Sequence, residues 1–385
     1  MSGYVKGGMI AFCIAGLFGC HGSDPIMRSF ENGTEIIENP VRSPMDASPI
    51  LTPYMEISQQ RADLVQYGMR SMGEFVVDDE GNIYVVGYKN ERDHFYKLDA
   101  SGEFVLSFGA SGQGPGELEM PLRPTVYKTR IYVTVRKNKL VVYGTDGKFI
   151  EERRLPFGVD TAEPLPEGRF LLYGFDSSAQ PEPDNSHYAL FITDSDFNEI
   201  KRLDTNKWYF GGDKYPPFFM WSITKDRIFV VNEERNYEIR VFDFSGNLVQ
   251  KIRKAFLPQE ADSVVREGIL GPQHSDPSLH KGYIPSPLPC MKFFIADEEG
   301  RLLVMTYERG RGAKSFIYDV FDSNGDLIGH MDLDLEWAGR YFGPQIFVMK
   351  NGLFYRYDTD DEGYNILKID KIRWPGDGPP SPSSS

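Results

Sequence analysis

The chain has 385 residues, of which 41% are hydrophobic and 14% aromatic, so it can bury a substantial core. It carries 42 Lys and Arg against 56 Asp and Glu, which gives a formal net charge of −14 at pH 7. Nucleic-acid binding requires a concentrated basic surface, so this balance argues against a nucleic-acid partner.

The N-terminus is predicted to be a signal peptide spanning residues 1–19. Lys6 is followed by Gly7 to Gly19, a run without charge that is too short to span a bilayer as a helix. The run ends in Leu17-Phe18-Gly19-Cys20, which resembles the lipobox of bacterial lipoproteins at Leu17, Gly19 and Cys20. The resemblance implies acylation of Cys20 and an exported, lipid-anchored location in the bacterial cell envelope, periplasmic or at the outer surface. A plain signal peptide is the alternative.

Two further segments are predicted to lack a fold. Residues 20–53, rich in Pro, Ser, Asn and Glu, are expected to form a flexible tether, and residues 375–385 a disordered tail. If Cys13 is cleaved off and Cys20 is lipidated, Cys290 is left without a disulfide partner. It precedes an apolar run and is interpreted as a buried side chain rather than a nucleophile.

Six short apolar runs recur at spacings of roughly 40 to 75 residues. They begin at Ile83, Ile131, Phe170, Ile228, Leu302 and Leu353. Their β-branched and aromatic content favours buried strands over helices. After most of them comes a second β-rich run that ends in an Asx-Gly turn, such as Asp99 to Gly102, which predicts a reversal into another strand.

Units of this size with four strands are typical of β-propeller blades. The sequence therefore predicts an all-β, six-bladed β-propeller with four-stranded antiparallel blades over residues 54–374. The last unit has only three clear strands, so a strand within Tyr54 to Val65 is expected to close the ring. A linear β array or two stacked sandwiches remain as alternatives.

The segment from Phe108 to Leu118, which reads FGASGQGPGEL, is similar to the blade connection of NHL-repeat propellers. With the lipobox, it makes the chain resemble six-bladed β-propeller lipoproteins of the NHL-like and TolB-like group. The resemblance implies a fold but no particular chemistry. A phosphate-binding loop is not supported, because the Gly-Lys-Ser/Thr ending is missing and Pro121 and Pro124 interrupt any following helix.

Propeller topology assigns the loops to two faces. The short Asp-Gly turns fall on one face, whereas the long stretches 175–187, 204–217 and 254–289 fall on the other. Long loops on a rigid scaffold commonly carry binding residues, so a ligand site is predicted on the long-loop face near the ring axis.

Inner strands are expected to begin near six residues that look into the mouth of the central channel: Arg70, Arg123, Asp160, Phe219, Lys292 and Gln345. The basic groups among them, Arg70, Arg123 and Lys292, would suit an anionic ligand, unless they pair with neighbouring carboxylates. The aromatic residues Trp208, Tyr215 and Trp221 would stack on sugar rings or hold a peptide, unless they only cover the propeller.

Metal and cofactor chemistry has little support. His274, Asp276 and His280 form a weak candidate set in a Pro-rich segment, and Asp358 to Gly363 lacks the later bidentate acid of a calcium loop. No Gly-x-Ser-x-Gly elbow is present. We expect no metal and no cofactor.

The leading functional hypothesis is a monomeric, lipid-anchored binding module that recognises a protein, peptide or glycan through its loop-rich face. The alternative is a hydrolase or lyase that acts on a saccharide or lactone at the ring axis. A structural scaffold within a larger envelope complex is the third possibility.

Overall fold

A computed structural model of the chain describes residues 24–89, 92–135, 138–180, 182, 185–209, 219–263, 265, 286–312, 315–333 and 347–377. The predicted all-β, six-bladed β-propeller is confirmed. The predicted signal peptide and Cys20 lie outside the described residues. Within those residues, no helix is both long and apolar enough to cross a bilayer.

Three strands and a short helix precede the first blade. They are β1 (Met27–Glu31), β2 (Thr34–Asn39), β3 (Ile50–Ser58) and α1 (Ala62–Gln66). Blade 1 consists of β4 (Met72–Val77), β5 (Ile83–Lys89), β6 (Arg92–Leu98) and β7 (Phe104–Phe108). A small parallel pair, β8 (Ala110–Ser111) and β9 (Glu117–Leu118), connects it to blade 2, as the resemblance to a blade connection implied.

The next two blades are regular antiparallel sheets. Blade 2 consists of β10 (Leu122–Tyr127), β11 (Arg130–Val135), β12 (Lys139–Gly144) and β13 (Phe149–Arg154). Blade 3 consists of β14 (Val159–Pro164), a 3₁₀ turn at Pro166–Gly168, β15 (Phe170–Phe175), β16 (Asn185–Thr193) and β17 (Glu199–Tyr209).

The last three blades follow in chain order. Blade 4 consists of β18 (Phe219–Ile223), β19 (Ile228–Asn232), a 3₁₀ turn at Glu233–Arg235, β20 (Glu238–Phe242) and β21 (Leu248–Lys254). Blade 5 consists of β22 (Phe293–Ala296), β23 (Leu302–Arg309), β24 (Phe316–Phe321) and β25 (Leu327–Leu333). Blade 6 consists of β26 (Phe347–Lys350), β27 (Leu353–Thr359) and β28 (Asn365–Arg373), with β3 as its outer strand.

The ring closes as expected. Strand β3 pairs antiparallel with β28 from Ile50, opposite Arg373, to Ser58, opposite Ile366. The closing strand begins four residues before the predicted Tyr54 and ends at Ser58, because helix α1 follows. Pairing the first and last parts of the chain in one sheet removes the exposed edge that an open array of blades would have.

The core explains why the six apolar runs are apolar on both faces. The described buried residues form six clusters, each shared by two adjacent blades. Between blades 1 and 2, for example, Tyr84 and Val86 pack with Ile131 and Val133. A strand in the middle of a blade therefore contacts a neighbouring sheet on each side.

Residues 24–49, here called the N-terminal belt, differ from the predicted flexible tether. Strand β2 pairs in parallel with β21, and β1 adds a sixth strand to blade 4. The belt then crosses the outer edge of blade 5, where the Ala47 N–H donates to the Ile328 carbonyl at 3.0 Å. The polar composition concealed this order because the belt buries only a few apolar side chains, among them Ile36 and Ile37, and is held largely by backbone hydrogen bonds.

The two faces of the ring are unequal, as predicted. The short turns lie on what we call the hairpin face, where Asp99, Asp243 and Asp322 each accept hydrogen bonds from backbone N–H groups two and four residues later. The inner strands begin on the opposite, entry face. The described connections between blades also lie there, whereas residues 210–218 and 266–285 of the predicted long stretches lie outside the described residues.

Candidate functional site

Three consecutive inner strands are irregular at the point where they enter the ring. The register of β4 shifts between Met72 and Phe75, that of β10 between Leu122 and Thr125, and that of β14 between Val159 and Thr161. A β-bulge inserts a residue and re-aims a side chain, and bulges are frequent beside functional sites. Here the bulged positions carry charged residues: Glu74, Arg123 and Asp160. We call this entrance to the ring axis the axial mouth.

Glu74 and Arg123 are joined through the backbone. The Arg123 N–H donates to Glu74 Oε2 at 2.7 Å. Arg123 has a φ of 44°, a left-handed conformation that is uncommon for a residue other than glycine. Burial raises the pKa of Glu74, although the Arg123 hydrogen bond and charge oppose this shift. The bulge therefore holds a carboxylate partly removed from water.

The Arg123 side chain reaches from blade 2 to blade 4. Its guanidinium carbon lies 4.0 Å from the centroid of the Trp221 ring, close enough for a cation–π interaction. The Trp221 Nε1–H donates to Glu163 Oε1 of blade 3 at 2.6 Å. Blades 2, 3 and 4 are thus linked beneath the mouth by one arginine, one indole and one carboxylate.

An aromatic wall stands beside this link, on blades 3 and 4. Tyr173 is stacked against two rings, Tyr188 with centroids 5.4 Å apart and Phe219 at 5.5 Å. The Tyr173 hydroxyl donates to Asn206 Oδ1 at 3.1 Å. Phe175 meets Tyr188 edge-on with centroids 6.3 Å apart and keeps 41% of its surface exposed. Phe175 is therefore the exposed ring of the wall, whereas Tyr173, Tyr188 and Phe219 are half-buried.

Asp160 lies on the inner strand β14 of blade 3, next to strand β15 of the aromatic wall. It is the bulged residue of β14, between Val159, which pairs with Gly174, and Thr161, which pairs with Tyr173. Its side chain remains exposed, yet the surrounding protein raises its pKa to about 6 by desolvation. Burial raises the pKa of both Tyr173 and Tyr188, and the Asp160 charge adds to the rise. No salt bridge or hydrogen bond from the described residues compensates this carboxylate.

Lys292 immediately precedes β22 on the blade 5 side of the mouth. Burial lowers its pKa to about 8, and its Nζ lies 5.6 Å from the centroid of the Phe316 ring. Its backbone N–H donates to the Met305 carbonyl at 2.7 Å. Lys292 is therefore a half-buried lysine packed on an aromatic ring, and its ammonium is less strongly favoured than that of a surface lysine.

The other predicted site residues are distributed differently. Arg70 is exposed before β4, where its carbonyl accepts a 3.5 Å hydrogen bond from Gln59 Nε2. Trp208 is half-buried in β17 opposite Ser186. Tyr215 and the weak metal candidates His274, Asp276 and His280 lie outside the described residues. The prediction of an anionic ligand at three converging basic groups remains a prediction.

Trp221 requires a correction. Its side chain is only 4% exposed, and it belongs to the apolar cluster between blades 3 and 4. It therefore lies beneath the mouth rather than on a ligand-facing surface. The aromatic density around it suggested a stacking platform, but the Trp221 ring is taken up by packing between blades 3 and 4.

Tyr173 and Tyr188 were not among the predicted site residues. Asp160 was predicted to look into the mouth of the channel but was given no binding role. Tyr173 ends the predicted run that begins at Phe170, and Tyr188 directly follows the long stretch 175–187, so a hairpin across that stretch would bring the two residues near each other. The bulge at Asp160 has no equally clear signal, because register shifts depend on how the inner strand meets its neighbour.

Two other polar regions are less suited to a ligand. Asp319, buried in blade 5, accepts from Tyr237 Oη at 2.6 Å and pairs with Lys254 Nζ at 3.2 Å and His330 Nδ1 at 2.9 Å. This network is satisfied internally. A shallow cleft beside it is lined by Lys254, which is thus already paired, and by Cys290, whose thiol pKa is raised to about 12 by burial. In the described part of the chain no group of three or more metal-ligating side chains is found.

Comparison with known proteins agrees with the fold. Residues 74–210 match a family model described as a 6-bladed beta-propeller. A crystal structure of a Bacteroides fragilis protein assigned as exported is similar with a TM-score of 0.54 and 16% identity, covering 88% of this chain and 99% of that one. This likeness supports the propeller fold alone.

Two further solved structures are more distant. A luciferin-regenerating enzyme aligns with a TM-score of 0.40 and 11% identity, over 86% of this chain and 96% of that one. BamB from Moraxella catarrhalis aligns with a TM-score of 0.35 and 8% identity, over 84% of this chain and 100% of that one.

Proposed function

We propose that this six-bladed β-propeller is an exported, lipid-anchored binding module that recognises a protein, peptide or glycan at the axial mouth. The observation that carries the proposal is the exposed Asp160 carboxylate, which lacks a compensating partner among the described residues and lies in the bulge of β14, next to the β15–β16 pair that holds Phe175 and Tyr188. Uncompensated charge beside exposed aromatic surface is unfavourable for folding and is characteristic of a site that awaits a partner.

Anchoring would occur through Cys20, the conclusion that the lipobox resemblance supports. Six residues separate Cys20 from Met27, the first residue of β1. Because seven Cα steps reach at most about 25 Å, the anchor would hold the outer edge of blade 4 close to the bilayer. The belt thus makes the linker much shorter than a tether running to residue 53.

Anchoring is tested by fractionating cells of a bacterial host that expresses the full chain or its Cys20→Ala variant. Wild-type protein should sediment with membranes and incorporate labelled fatty acid, whereas the variant should be recovered in the soluble exported fraction. Wild-type protein that is already soluble and unlabelled would contradict the anchor and leave the binding proposal to be judged separately.

Binding is tested by applying the full chain to peptide and glycan arrays together with two variants. Tyr188→Leu removes part of the aromatic wall at the mouth, and Phe149→Ala removes an exposed ring from the outer strand of blade 2. The proposal predicts a set of array signals that Tyr188→Leu reduces and Phe149→Ala preserves. Signals that are insensitive to Tyr188→Leu would place recognition elsewhere.

A hydrolase or lyase that acts on a saccharide or lactone is the second candidate. It is supported by Asp160 with a pKa of about 6 and Lys292 with a pKa of about 8, since strongly shifted titrating groups are common in catalytic sites. Turnover of a chromogenic saccharide or lactone by wild type, abolished in Asp160→Asn and in Lys292→Met, would establish it. A panel without turnover favours the binding module.

A further inference from the structure

The charged and aromatic side chains at the axial mouth indicate a particular class of ligand. Resting on the proposed function, we propose that Asp160, Tyr188 and Phe175 form a subsite for a cationic side chain, the ammonium or guanidinium of a lysine or arginine in a polypeptide partner.

The charge balance around Asp160 supports a cation. Among the described residues, the carboxylate has no ionic partner and accepts no hydrogen bond. Arg123 is a basic residue of the axial mouth, but its guanidinium lies on Trp221, and its backbone N–H donates to Glu74. The site therefore has an unused negative charge, within a protein that carries −14 overall. Such a field attracts cations and repels acidic ligands.

The arrangement of the rings favours a cation over a stacked sugar. Tyr173 is already occupied by other rings, because Tyr188 and Phe219 are both stacked against it. A sugar ring would need an open aromatic face, whereas an ammonium can sit against the exposed parts of Tyr188 and Phe175 while it pairs with Asp160. Aromatic rings attract cations through the negative potential of their faces, and this adds to the carboxylate pairing.

The position on the strands makes the subsite rigid. Phe175 and Tyr188 are direct cross-strand partners in the β15–β16 pair, and the Phe175 N–H donates to the Gly158 carbonyl at 2.8 Å, beside the Asp160 bulge. Residues held by strand pairing lose little conformational freedom when a ligand binds, which favours recognition of a single side chain.

The experiment titrates the full chain with Nα-acetyl-lysine N-methylamide by calorimetry at pH 7.5, with the norleucine and glutamate analogues as matched probes. We expect the lysine probe to bind with a dissociation constant on the order of 1 mM and the other two probes not to saturate. Asp160→Asn should weaken lysine-probe binding by at least about tenfold. Asp196→Asn, an exposed acid on the hairpin face of the same blade, should leave it unchanged.

A second variant separates recognition from folding. Tyr188→Leu should reduce binding of the lysine probe while circular dichroism shows an intact sheet. Equal binding of lysine and norleucine probes, binding unchanged in Asp160→Asn, or absence of saturable lysine binding would overturn the cationic subsite. If array ligands still require Tyr188 in that case, the proposed binding function stands and only its ligand class is wrong.

Discussion

The guanidinium carbon of Arg123 lies 4.0 Å from the centroid of the Trp221 ring, so blade 2 contacts blade 4 inside the ring. Blade 3 contributes to the same link through Glu163, which accepts the indole N–H. Ordinary contacts in a propeller join only adjacent blades. This link therefore joins blades 2, 3 and 4 beneath the axial mouth.

Replacing Arg123 tests the link. Arg123→Ala should lower the free energy of unfolding by about 1–2 kcal/mol, because it removes a cation–π contact that is largely shielded from water. Arg123→Lys should recover part of this loss, since an ammonium stacks less well than a planar guanidinium. Urea denaturation measures both. Arg154→Ala, an exposed arginine of β13, is the control, and an equal loss there would mean that the stack contributes nothing specific.

Trp221 should behave as a core residue. Trp221→Ala is expected to cost about 3–5 kcal/mol of stability through the cavity it leaves. Trp221→Phe fills most of that space but leaves the Glu163 carboxylate without its indole donor, which costs about 1–3 kcal/mol. Thermal and urea denaturation provide the measurement. Phe157→Ala, at a ring that is 87% exposed, should stay near wild type. A stable Trp221→Ala protein would contradict the core assignment.

Asp160 should make stability depend on pH in a defined direction. Its pKa in the folded protein is about 6, above the value near 4 of an unfolded chain, so the folded state binds more protons between these values. Its contribution therefore favours folding at low pH and is lost as pH rises through 6. We expect Asp160→Asn to raise the melting temperature at pH 7.5 and to have little effect at pH 4.

The same titration affects binding in the opposite sense, because only the carboxylate attracts a cation. Lysine-probe affinity should fall as pH decreases from 7.5 to 5, with Tyr173, Tyr188 and Arg123 as the other titratable groups around the site. Asp196→Asn should leave both pH profiles unchanged. A melting temperature for Asp160→Asn that parallels wild type at every pH would show that the site is not strained.

Asn39 should anchor the N-terminal belt. Its Nδ2 donates to the Arg253 carbonyl at 3.1 Å and to the Gly325 carbonyl at 3.0 Å, while its Oδ1 accepts from the Leu327 N–H at 2.8 Å. Asn39→Ala removes the partners of three backbone groups, two in buried hydrogen bonds and one in a part-buried hydrogen bond, so a loss of about 2–4 kcal/mol is expected. Ser29→Ala, on exposed β1, is the control. Limited proteolysis should release the belt first, and an unaltered cleavage pattern would argue that the belt is not held by Asn39.

Cys290 should react slowly with alkylating reagents. Burial raises its thiol pKa to about 12, so only roughly one molecule in ten thousand carries the thiolate at pH 8. Labelling with iodoacetamide, read by peptide mass spectrometry so that other cysteines are distinguished, should be at least about 100-fold slower in native protein than in urea. Fast native labelling would revive a nucleophilic role.

Local patterns along the chain were sufficient to predict the fold. Runs such as Ile83 to Val86 are apolar on both faces because each blade packs between two others, and Asp-Gly turns record each reversal of the chain. The starting points of the inner strands, and hence Asp160 and Lys292 at the mouth, also followed from this periodicity. Ring closure by a strand before the first blade followed from the missing strand of the last one.

Tertiary structure alone decided how these positions are used. Bulges at Glu74, Arg123 and Asp160 depend on the pairing of each inner strand with its neighbour, which leaves no local signature. Trp221 is buried and Phe175 exposed because of blade packing, although both are aromatic residues of strands in neighbouring blades. The ordered belt depends on the free edge of β21, a partner more than 200 residues away in the chain. Long-range contacts of this kind cannot be derived from composition, because the same polar residues would remain flexible without the edge that binds them.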